Sequence, residues 1–556
     1  MTFADDQVNA ASAFAHTMIV VDDEPIADPA EAETVTKTQT PGRRDAKKAS
    51  SAPDQPVAEP ERKTTHLLDA KALIKSALDL GLVCSVVNPS GDEDNVAKGV
   101  AKASIRADII SLDWHMHGDD DGDLACEIIA EILRNDAAIG GRLRLIAIYT
   151  GNNNEEKILK QIEARLNDRK DQNNEVVRKG QVLTNETGLR LVWRQKAMLN
   201  EKLEGAVSEA QLPQELLAEF AKLSSGLLSN VALATISAMR DTTHHVLSKF
   251  SETLDGPFFH HRALLENPSE SMDYAVSIVI SALKSEVNKS EIAERFTTTD
   301  AVKRRLQAMA NGSDDFTLRY LKGNQEKEFS FCLDDIAAII EHGHEKWPED
   351  LRKVAEARKQ NASNPKPTKE GFKRYFSTVF SESRDAATDA MMHFSFLTNS
   401  RSSELSLVHR TVLPKLELGS VVFSEKLGYL LCLQATCDAV RGDGLFFFVP
   451  LVVASASPGL VVPHKCKEGK PNYIGLEVPP KCYTKSLSLN FGTIDSKIGR
   501  IPVNFDEKNG VFQVLDAEKN EYRWLANLKY KRALRIAQNV SQQMSRIGFD
   551  EFEPFK

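Results

Sequence analysis

The sequence has little of what secreted, disulfide-bonded or membrane-spanning proteins need. It contains 7 cysteines in 556 residues, too few for a disulfide framework and typical of a protein in a reducing cytoplasm. The segment Met1–Ser12 is acidic and lacks both the basic start and the apolar centre of a secretory signal. The most apolar run, Leu445–Val462, is interrupted by Pro450 and Pro458, which argues against a membrane span. The sequence therefore predicts a cytoplasmic protein with no membrane partner.

An excess of positive charge is also absent. The chain has 70 Lys and Arg residues against 79 Asp and Glu residues, and its net charge of −9 excludes a globally basic coat for nucleic acid. Hydrophobic residues make up 42% of the sequence, which is enough to build folded cores. A chain of 556 residues is expected to contain about three or four domains. No helix-turn-helix signal is evident, so nucleic-acid binding has no direct support beyond a basic stretch near the end of the chain.

The hydrophobic pattern divides the chain into four segments. Residues 1–16 are interpreted as an N-terminal tail. In residues 17–205, short β-rich runs alternate with amphipathic helical stretches, which predicts βαβ units and a parallel sheet covered by helices on both faces. Helical spacing of apolar residues in 206–410 predicts an all-helical module. Residues 411–556 contain short strands separated by turn residues and end in a helix, which predicts a β-rich, small barrel-like domain.

One stretch interrupts the pattern of the first folded segment. Residues 27–65 are rich in Ala, Pro, Thr, Lys and Glu and contain no aromatic residue. This composition cannot bury enough apolar surface to offset the entropy cost of ordering, so we predict a disordered insertion. It lies in the first strand-to-helix connection, beside the edge of the sheet where ligands would bind.

Polar side chains follow the successive strands predicted in residues 17–205. Asp22 and Asp23 follow the first strand, Asp113 the third, Thr150 the fourth and Lys196 the fifth. In such a sheet, ligands bind outside the carboxyl ends of the strands. Clustered carboxylates repel one another and need a cation, and Mg²⁺ prefers oxygen ligands together with phosphate. The pattern predicts a magnesium site suited to phosphoryl transfer.

The order Asp-Asp, Asp, Thr, Lys at successive strand ends resembles the receiver domain of two-component response regulators. The run Asp113-Trp-His-Met116 is similar to the family's Asp-x-x-Met, and Asp121-Gly122 is similar to the Asp-Gly that opens the third helix. Trp193 lies where receivers usually carry an aromatic switch residue. The resemblance covers about a third of the chain and implies a flavodoxin-like, doubly wound, five-stranded parallel sheet.

The resemblance implies a phosphoacceptor and a metal site. Asp113 would accept the phosphoryl group from a phosphohistidine of a partner histidine kinase. Asp23 would bind Mg²⁺ directly and Asp22 mainly through water, and the backbone carbonyl of His115 would complete the site together with Asp113.

The resemblance also implies a conformational switch. Lys196 would pair with the phosphoryl oxygens, and Thr150 would move to bond the aspartyl phosphate. Trp193 would follow Thr150 inward and repack the face formed by the fourth helix and fifth strand. The resemblance further implies a homodimer that forms through the receiver face.

The sequence departs from the family pattern at several positions. Ala197 follows Lys196 and His117 follows Met116, where the family usually has proline, and the stretch between Thr150 and Lys196 is long. Two alternatives to an active receiver therefore stay open. One is a degenerate receiver that is never phosphorylated, and the other is a different α/β domain.

The C-terminal region carries weaker signals. Its strand ending in Cys437-Asp438 resembles uncharacterised bacterial and phage-associated proteins, which gives a domain but no activity. A zinc site could be formed by Cys432, Cys437, His464, Cys466 and Cys482, although buried cysteines are the favoured interpretation. The final helix is basic, with Lys529, Lys531, Arg532, Arg535 and Arg546, and could meet phosphates or dock on an acidic neighbour, the latter being favoured.

Our leading hypothesis is a response-regulator-type signalling protein. Phosphorylation of Asp113 would switch a non-standard C-terminal output, and the C-terminal resemblance points to a bacterial stress or antiphage defence system. Two alternatives stay open: an effector enzyme acting on nucleic acid and gated by the receiver, or a scaffold with a degenerate receiver. No separate enzyme activity is identifiable from the sequence.

Overall fold

The structure is a computed structural model that divides into two compact units. It describes residues 1–26, 68–90, 93–116, 121–169, 175–185, 188–197, 205–265, 268, 270–310, 315–357, 366–403, 413–435, 444–454, 459–467, 470–492 and 501–544. The first unit comprises Met1–Asp241 with Ser290–Arg305, and the second comprises Thr242–Lys289 with Leu306–Lys556. The insertion predicted at 27–65 lies outside the described residues.

The first unit is built on one twisted sheet of seven strands. In spatial order they are β4 (Val83–Val87), β1 (Thr17–Val21), β5 (Ile109–Leu112), β6 (Arg144–Thr150), β9 (Leu189–Gln195), β8 (Val182–Thr184) and β7 (Val177–Lys179). The first five are mutually parallel, as expected of a doubly wound sheet. A short parallel pair, β2 (Pro25–Ile26) with β3 (Leu68–Asp69), lies apart from this sheet.

The prediction of a purely parallel, five-stranded sheet is wrong at one edge. The long stretch between Thr150 and Lys196 contributes the hairpin β7–β8, and β8 pairs antiparallel with β9. The hairpin turns at Gly180, whose φ of +66° suits a residue without a side chain. The extra residues therefore extend the sheet.

Helices cover both faces of this sheet because alternate strand residues point to opposite sides. They are α1 (Phe3–Phe14), α2 (Ala70–Asp79), α3 (Glu93–Ser104), α4 (Asp123–Ala138), α5 (Glu155–Asn167), α6 (Leu212–Ala221) and α7 (Leu227–Asp241). Ile110 and Ile146 bury into one core with α3, α4 and α5. Their neighbours Ile109 and Leu145 bury into a second core with α1, α2, α6 and α7.

The interpretation of residues 1–16 as a tail is wrong. Helix α1 starts at a capping box in which Thr2 and Asp5 satisfy each other's backbone N–H groups. It buries Phe3, Ala10 and Phe14. Its small alanines let the helix approach α6 and α7 closely.

Helices continue after α7, most of them in the second unit, whereas Ile292–Arg295 and the start of Thr299–Ala310 belong to the first. They are α8 (Thr243–Leu247), α9 (Asp255–Leu264), α10 (Glu270–Lys289), α11 (Ile292–Arg295), α12 (Thr299–Ala310), α13 (Leu333–His342), α14 (Trp347–Ala357), α15 (Lys369–Tyr375) and α16 (Arg384–Asn399), with 3₁₀ turns at Glu252–Leu254 and Phe376–Phe380. No helix in the described part of the chain is both long and apolar enough to cross a membrane.

The all-helical prediction for residues 206–410 is wrong at 315–332. An antiparallel hairpin forms there from β10 (Asp315–Lys322) and β11 (Gln325–Cys332). Phe316, Leu318 and Tyr320 are buried with exposed or half-buried residues between them, which is a period of two rather than a helical period. This alternation was the signal that should have identified the hairpin.

The remainder of the second unit is β-rich, as predicted. Ten strands form one antiparallel sheet: β12 (Ser400–Ser403), β13 (Ser420–Ser424), β14 (Gly428–Cys432), β15 (Leu445–Val453), β16 (Leu460–Lys467), β17 (Lys470–Glu477), β18 (Leu487–Asn490), β19 (Asn504–Asp506), β20 (Val511–Leu515) and β21 (Glu521–Leu528). A 3₁₀ turn occupies Cys482–Lys485, and helix α17 (Tyr530–Met544) follows the last strand. Separate cores lie on the two sides of the sheet, and α17 packs into one of them through Ala533, Ile536 and Val540.

Candidate functional site

The topology of the first unit brings the predicted polar residues to one edge of its sheet. Strand β1 lies between β4 and β5, so the strand order reverses there, which is where such sheets form a ligand crevice. Asp22 follows β1 and Asp113 follows β5, and the Asp113 N–H donates to the carbonyl of Val21 at 2.9 Å. Thr150 ends β6, and the Lys196 N–H donates to its carbonyl at 2.8 Å.

The acidic residues form one cluster around a buried lysine. Carboxylate oxygens of Asp22, Asp23 and Asp113 all lie within 4.8 Å of one another. Lys196 Nζ donates to Asp22 Oδ2 and to Asp113 Oδ2, each at 2.6 Å. The exposed fractions are 1% for Asp22, 7% for Asp113 and 2% for Lys196, so these charges interact with little screening by water.

Burial and neighbouring charges shift the pKa values of two residues in this cluster. Burial, reinforced by the charge of Asp113, raises the pKa of Asp22 despite the nearby ammonium. Burial alone would lower the pKa of Lys196, but Asp113 and Asp22 outweigh it, and the pKa is raised. Lys196 pairs with two of the three clustered carboxylates, and a bound divalent cation would offset further negative charge.

The loop after β5 fixes the orientation of Asp113. Its Oδ1 accepts the backbone N–H of Trp114 at 2.6 Å and that of His115 at 3.3 Å. Trp114 is fully buried and packs against Gly122, where an added Cβ would lie 2.3 Å from the indole. Gly122 also has a φ of +72°, so two constraints explain the glycine of the Asp-Gly pair.

Thr150 and its neighbours line the next part of this edge. The Thr150 side chain is buried, and its hydroxyl oxygen accepts the backbone N–H of Asn152 at 3.3 Å. The Asn152 amide in turn lies 3.3 Å from Nε2 of His115. The structure thus links the loops that follow β5 and β6.

Trp193 lies on β9, half-buried against the core formed with α3, α4 and α5. Its Nε1 is buried and has no hydrogen-bond partner among the described residues. Trp193 also lines a cavity of about 770 Å³, together with residues of α5 and α6. The Trp193 indole therefore has open space beside it, and no hydrogen bond to a described residue fixes its Nε1.

Two residues near the cluster were missed by sequence reasoning. Glu24 donates its N–H to Asp22 Oδ1, and burial and then the charge of Asp23 raise the pKa of its carboxyl. The sequence signal that could have identified Glu24 is the unbroken acidic run from residue 22 to residue 24. Tyr149 places its ring 5.6 Å from Lys196 Nζ, measured to the ring centroid. Because successive strand residues point to opposite faces, Tyr149 lies on the face of the sheet opposite to that of Thr150.

The alternative metal ligands are not brought together. Among the described residues, the acidic cluster is the group of metal-capable side chains that converges. Cys432 and Cys482 are buried in the cores of the second unit, and burial raises the pKa of the Cys432 thiol to about 12. Cys437 and Asp438 lie outside the described residues.

Three residues, Arg190, Arg194 and Glu219, hold helix α6 against strand β9, which carries Trp193 and leads to Lys196. The buried Glu219 carboxylate of α6 accepts from Arg190 at 2.7 Å and from Arg194 at 2.6 Å, and Lys222 adds a third cation. Burial alone would raise the pKa of Glu219, but hydrogen bonds from Lys222 and Arg190 lower it to about 2.

The low pKa of Glu219 predicts a pH-dependent contribution to stability. A lowered folded-state pKa stabilises the protein fully above the unfolded-state value, and this contribution disappears as pH falls toward about 2. We expect Glu219→Gln to cost about 2 kcal/mol near neutral pH and much less at about pH 3. Urea denaturation of wild type and variant at both pH values measures the difference. The matched control is Glu215→Gln, at an exposed position of the same helix, which should have little effect at either pH. If Glu219→Gln lowered the free energy of unfolding by the same amount at low pH as at neutral pH, the ion-pair explanation would be wrong.

Comparison with known protein families agrees with this geometry. Residues 14–201 match the model of a family described as the response receiver domain. Searches of curated proteins and of solved structures found no match. The N-terminal third of the chain is a receiver domain, which supports a response-regulator-type signalling role.

Proposed function

We propose that the receiver takes a phosphoryl group onto Asp113 from a partner histidine kinase in a Mg²⁺-dependent reaction. The observation that carries this proposal is the contact of one buried ammonium, Lys196, with both Asp22 and Asp113. The lysine holds Asp113 at the crevice and supplies a positive charge where phosphoryl oxygens would arrive. Such reactions depend mostly on positioning and on charge neutralisation.

The donor set of the acidic cluster fits a hard divalent cation. Asp22, Asp23 and Asp113 offer only carboxylate oxygens, and the His115 backbone carbonyl is proposed as a further ligand. When bound, Mg²⁺ would neutralise charge on the phosphoryl oxygens. We assign direct binding to Asp23 and binding mainly through water to Asp22.

The proposed transfer is a simple displacement at phosphorus. A carboxylate oxygen of Asp113 forms a bond to phosphorus as the phosphorus–nitrogen bond of the phosphohistidine breaks. The bonding electron pair returns to the imidazole nitrogen, and Asp113 becomes an acyl phosphate. Backbone N–H groups of Trp114 and His115 hold the carboxylate in place, and Lys196 pairs with the phosphoryl oxygens.

The switch would begin at Thr150 and end at Trp193. The Thr150 hydroxyl oxygen accepts the Asn152 N–H at 3.3 Å, a long hydrogen bond that Thr150 would give up as it moves to donate its own hydroxyl hydrogen to an acyl phosphate. Trp193, which lines the cavity of about 770 Å³, would then move toward the space that Thr150 leaves. This motion alters the face formed by α5 and β9, and we also propose a homodimer contact through the receiver face.

The output of this switch is proposed to be the second unit, and its biological setting a bacterial stress or antiphage defence system. The setting rests only on the sequence resemblance of the C-terminal region. The β-rich fold of that region gives no reaction of its own.

Intact-mass spectrometry after incubation with acetyl phosphate and MgCl₂ tests the proposal. We expect the wild-type protein to gain one phosphoryl group, and Asp113→Asn or added EDTA to abolish the gain. Asp121→Asn is the matched control, because it removes an exposed carboxylate from the same connection and should label normally. Equal labelling of Asp113→Asn, or no labelling of the wild type, would instead indicate a degenerate receiver.

A further inference from the structure

The second unit contains a cavity that the receiver chemistry does not use. It lies between helix α17 and the strands β16 and β17, and its volume is about 320 Å³. This is within the range of pockets that hold small molecules. Polar side chains from α17 line one wall, namely Arg532, Arg535, Asn539 and Gln543.

These four residues form a single stripe along the helix. Their spacing of three, then four, then four residues places them on one face. The apolar part of the lining comes from Leu460, Val478, Ile536 and Val540. The cavity therefore combines two guanidinium groups, two amides and an apolar surface, which suits a ligand with both anionic and uncharged parts.

The arginines carry unused hydrogen-bonding capacity. Arg532 donates one N–H to the Gly459 carbonyl at 2.6 Å, while its Nε is buried and has no partner among the described residues. Burial and the neighbouring charge of Arg535 lower the pKa of Arg532. Within the part of the chain that the structure describes, neither arginine forms an ion pair, although Glu477 lies on the cavity lining.

We propose that this cavity binds an organic phosphate of about nucleotide size. Adjacent guanidinium groups repel each other and would be neutralised by phosphate, which accepts hydrogen bonds in the fork geometry that arginine offers. Asn539 and Gln543 can bond hydroxyl or ring nitrogen groups, and the apolar lining can contact a planar ring. The cavity volume of about 320 Å³ matches a small phosphate ester, whereas a continuous nucleic-acid strand would need a longer groove.

Isothermal titration calorimetry of the full chain with AMP, inorganic phosphate and adenosine tests this proposal. The titrations contain EDTA, so that magnesium-dependent chemistry at the receiver does not contribute. We expect AMP to bind, inorganic phosphate to bind more weakly, and adenosine to bind weakest. Arg535→Gln should weaken AMP binding about tenfold or more, since one charge-assisted hydrogen bond is lost.

Lys531→Gln is the matched control because it removes an exposed positive charge from the same helix outside the cavity lining. It should leave AMP binding unchanged, and so should Asp113→Asn, which separates this proposal from the receiver reaction. No binding of AMP or phosphate to the wild type would overturn the proposal, as would equal losses in Arg535→Gln and Lys531→Gln. Binding of a single-stranded oligonucleotide without binding of AMP would overturn it in favour of a nucleic-acid surface.

Discussion

Replacing Lys196 by methionine is expected to destabilise the receiver by about 3 kcal/mol in the presence of EDTA. The ammonium pairs with two carboxylates, and the change leaves both of them buried without a cation. Methionine preserves most of the side-chain volume, so the loss reports on charge rather than on a cavity. Hydrogen-exchange protection of peptides from β1 and β5 measures the effect locally.

The same substitution should make receiver stability depend more strongly on Mg²⁺. In the wild type, Lys196 already offsets part of the negative charge of Asp22 and Asp113, so an added cation gains less there. In Lys196→Met, MgCl₂ should restore a larger share of the lost protection. Labelling by acetyl phosphate should nevertheless fall roughly 100-fold, because a charged donor to the phosphoryl oxygens is missing.

Lys157→Met provides the control for these measurements. It removes an exposed lysine from α5 and should change stability by less than about 0.5 kcal/mol, with or without Mg²⁺. If Lys196→Met were as stable as the wild type in EDTA, the buried carboxylates would have to be protonated or rearranged. Lys196 would then not be the residue that organises the crevice.

The location of the site was predictable because it follows from topology. Parallel strands bring their carboxyl ends to one edge, so Asp22, Asp113, Thr150 and Lys196 had to meet if the strands were identified correctly. The contact of one lysine with two aspartates was not predictable, because it depends on side-chain geometry over long sequence separations. The same applies to the space beside Trp193, which requires α6 to be in place.

The parts of the fold that sequence reasoning missed were those with weak or mixed patterns. Helix α1 buries small alanines, and its polar residues dominated the interpretation of that segment. Hairpin β10–β11 alternates correctly, but it lies between helices and carries many charges. Hairpin β7–β8 has strands of only three residues, too short to show a period.

A second large effect is expected far from the crevice, at the amino end of β6. Arg144 is 1% exposed and forms a two-point ion pair with Asp136 of α4, at 2.6 and 2.7 Å. Its remaining nitrogen donates to the carbonyls of Ser104 and Ala107. One side chain thus joins β6, α4, the end of α3 and the start of β5.

Arg144→Met should therefore cost about 3–5 kcal/mol of receiver stability, because it leaves the buried Asp136 carboxylate without its cation and removes the hydrogen bonds to two carbonyls. Arg142→Met is the control: this neighbouring arginine is partly exposed and lies 3.7 Å from Asp108, so its loss should cost about 1 kcal/mol. Since Arg144 lies at the opposite end of its strand from Thr150, the protein that remains folded should still be labelled on Asp113. Loss of labelling in fully folded Arg144→Met would show that the amino end of the sheet controls the crevice. Equal stability losses in the two variants would mean that the buried Arg144–Asp136 ion pair contributes no more than the longer, partly exposed contact of Arg142 with Asp108.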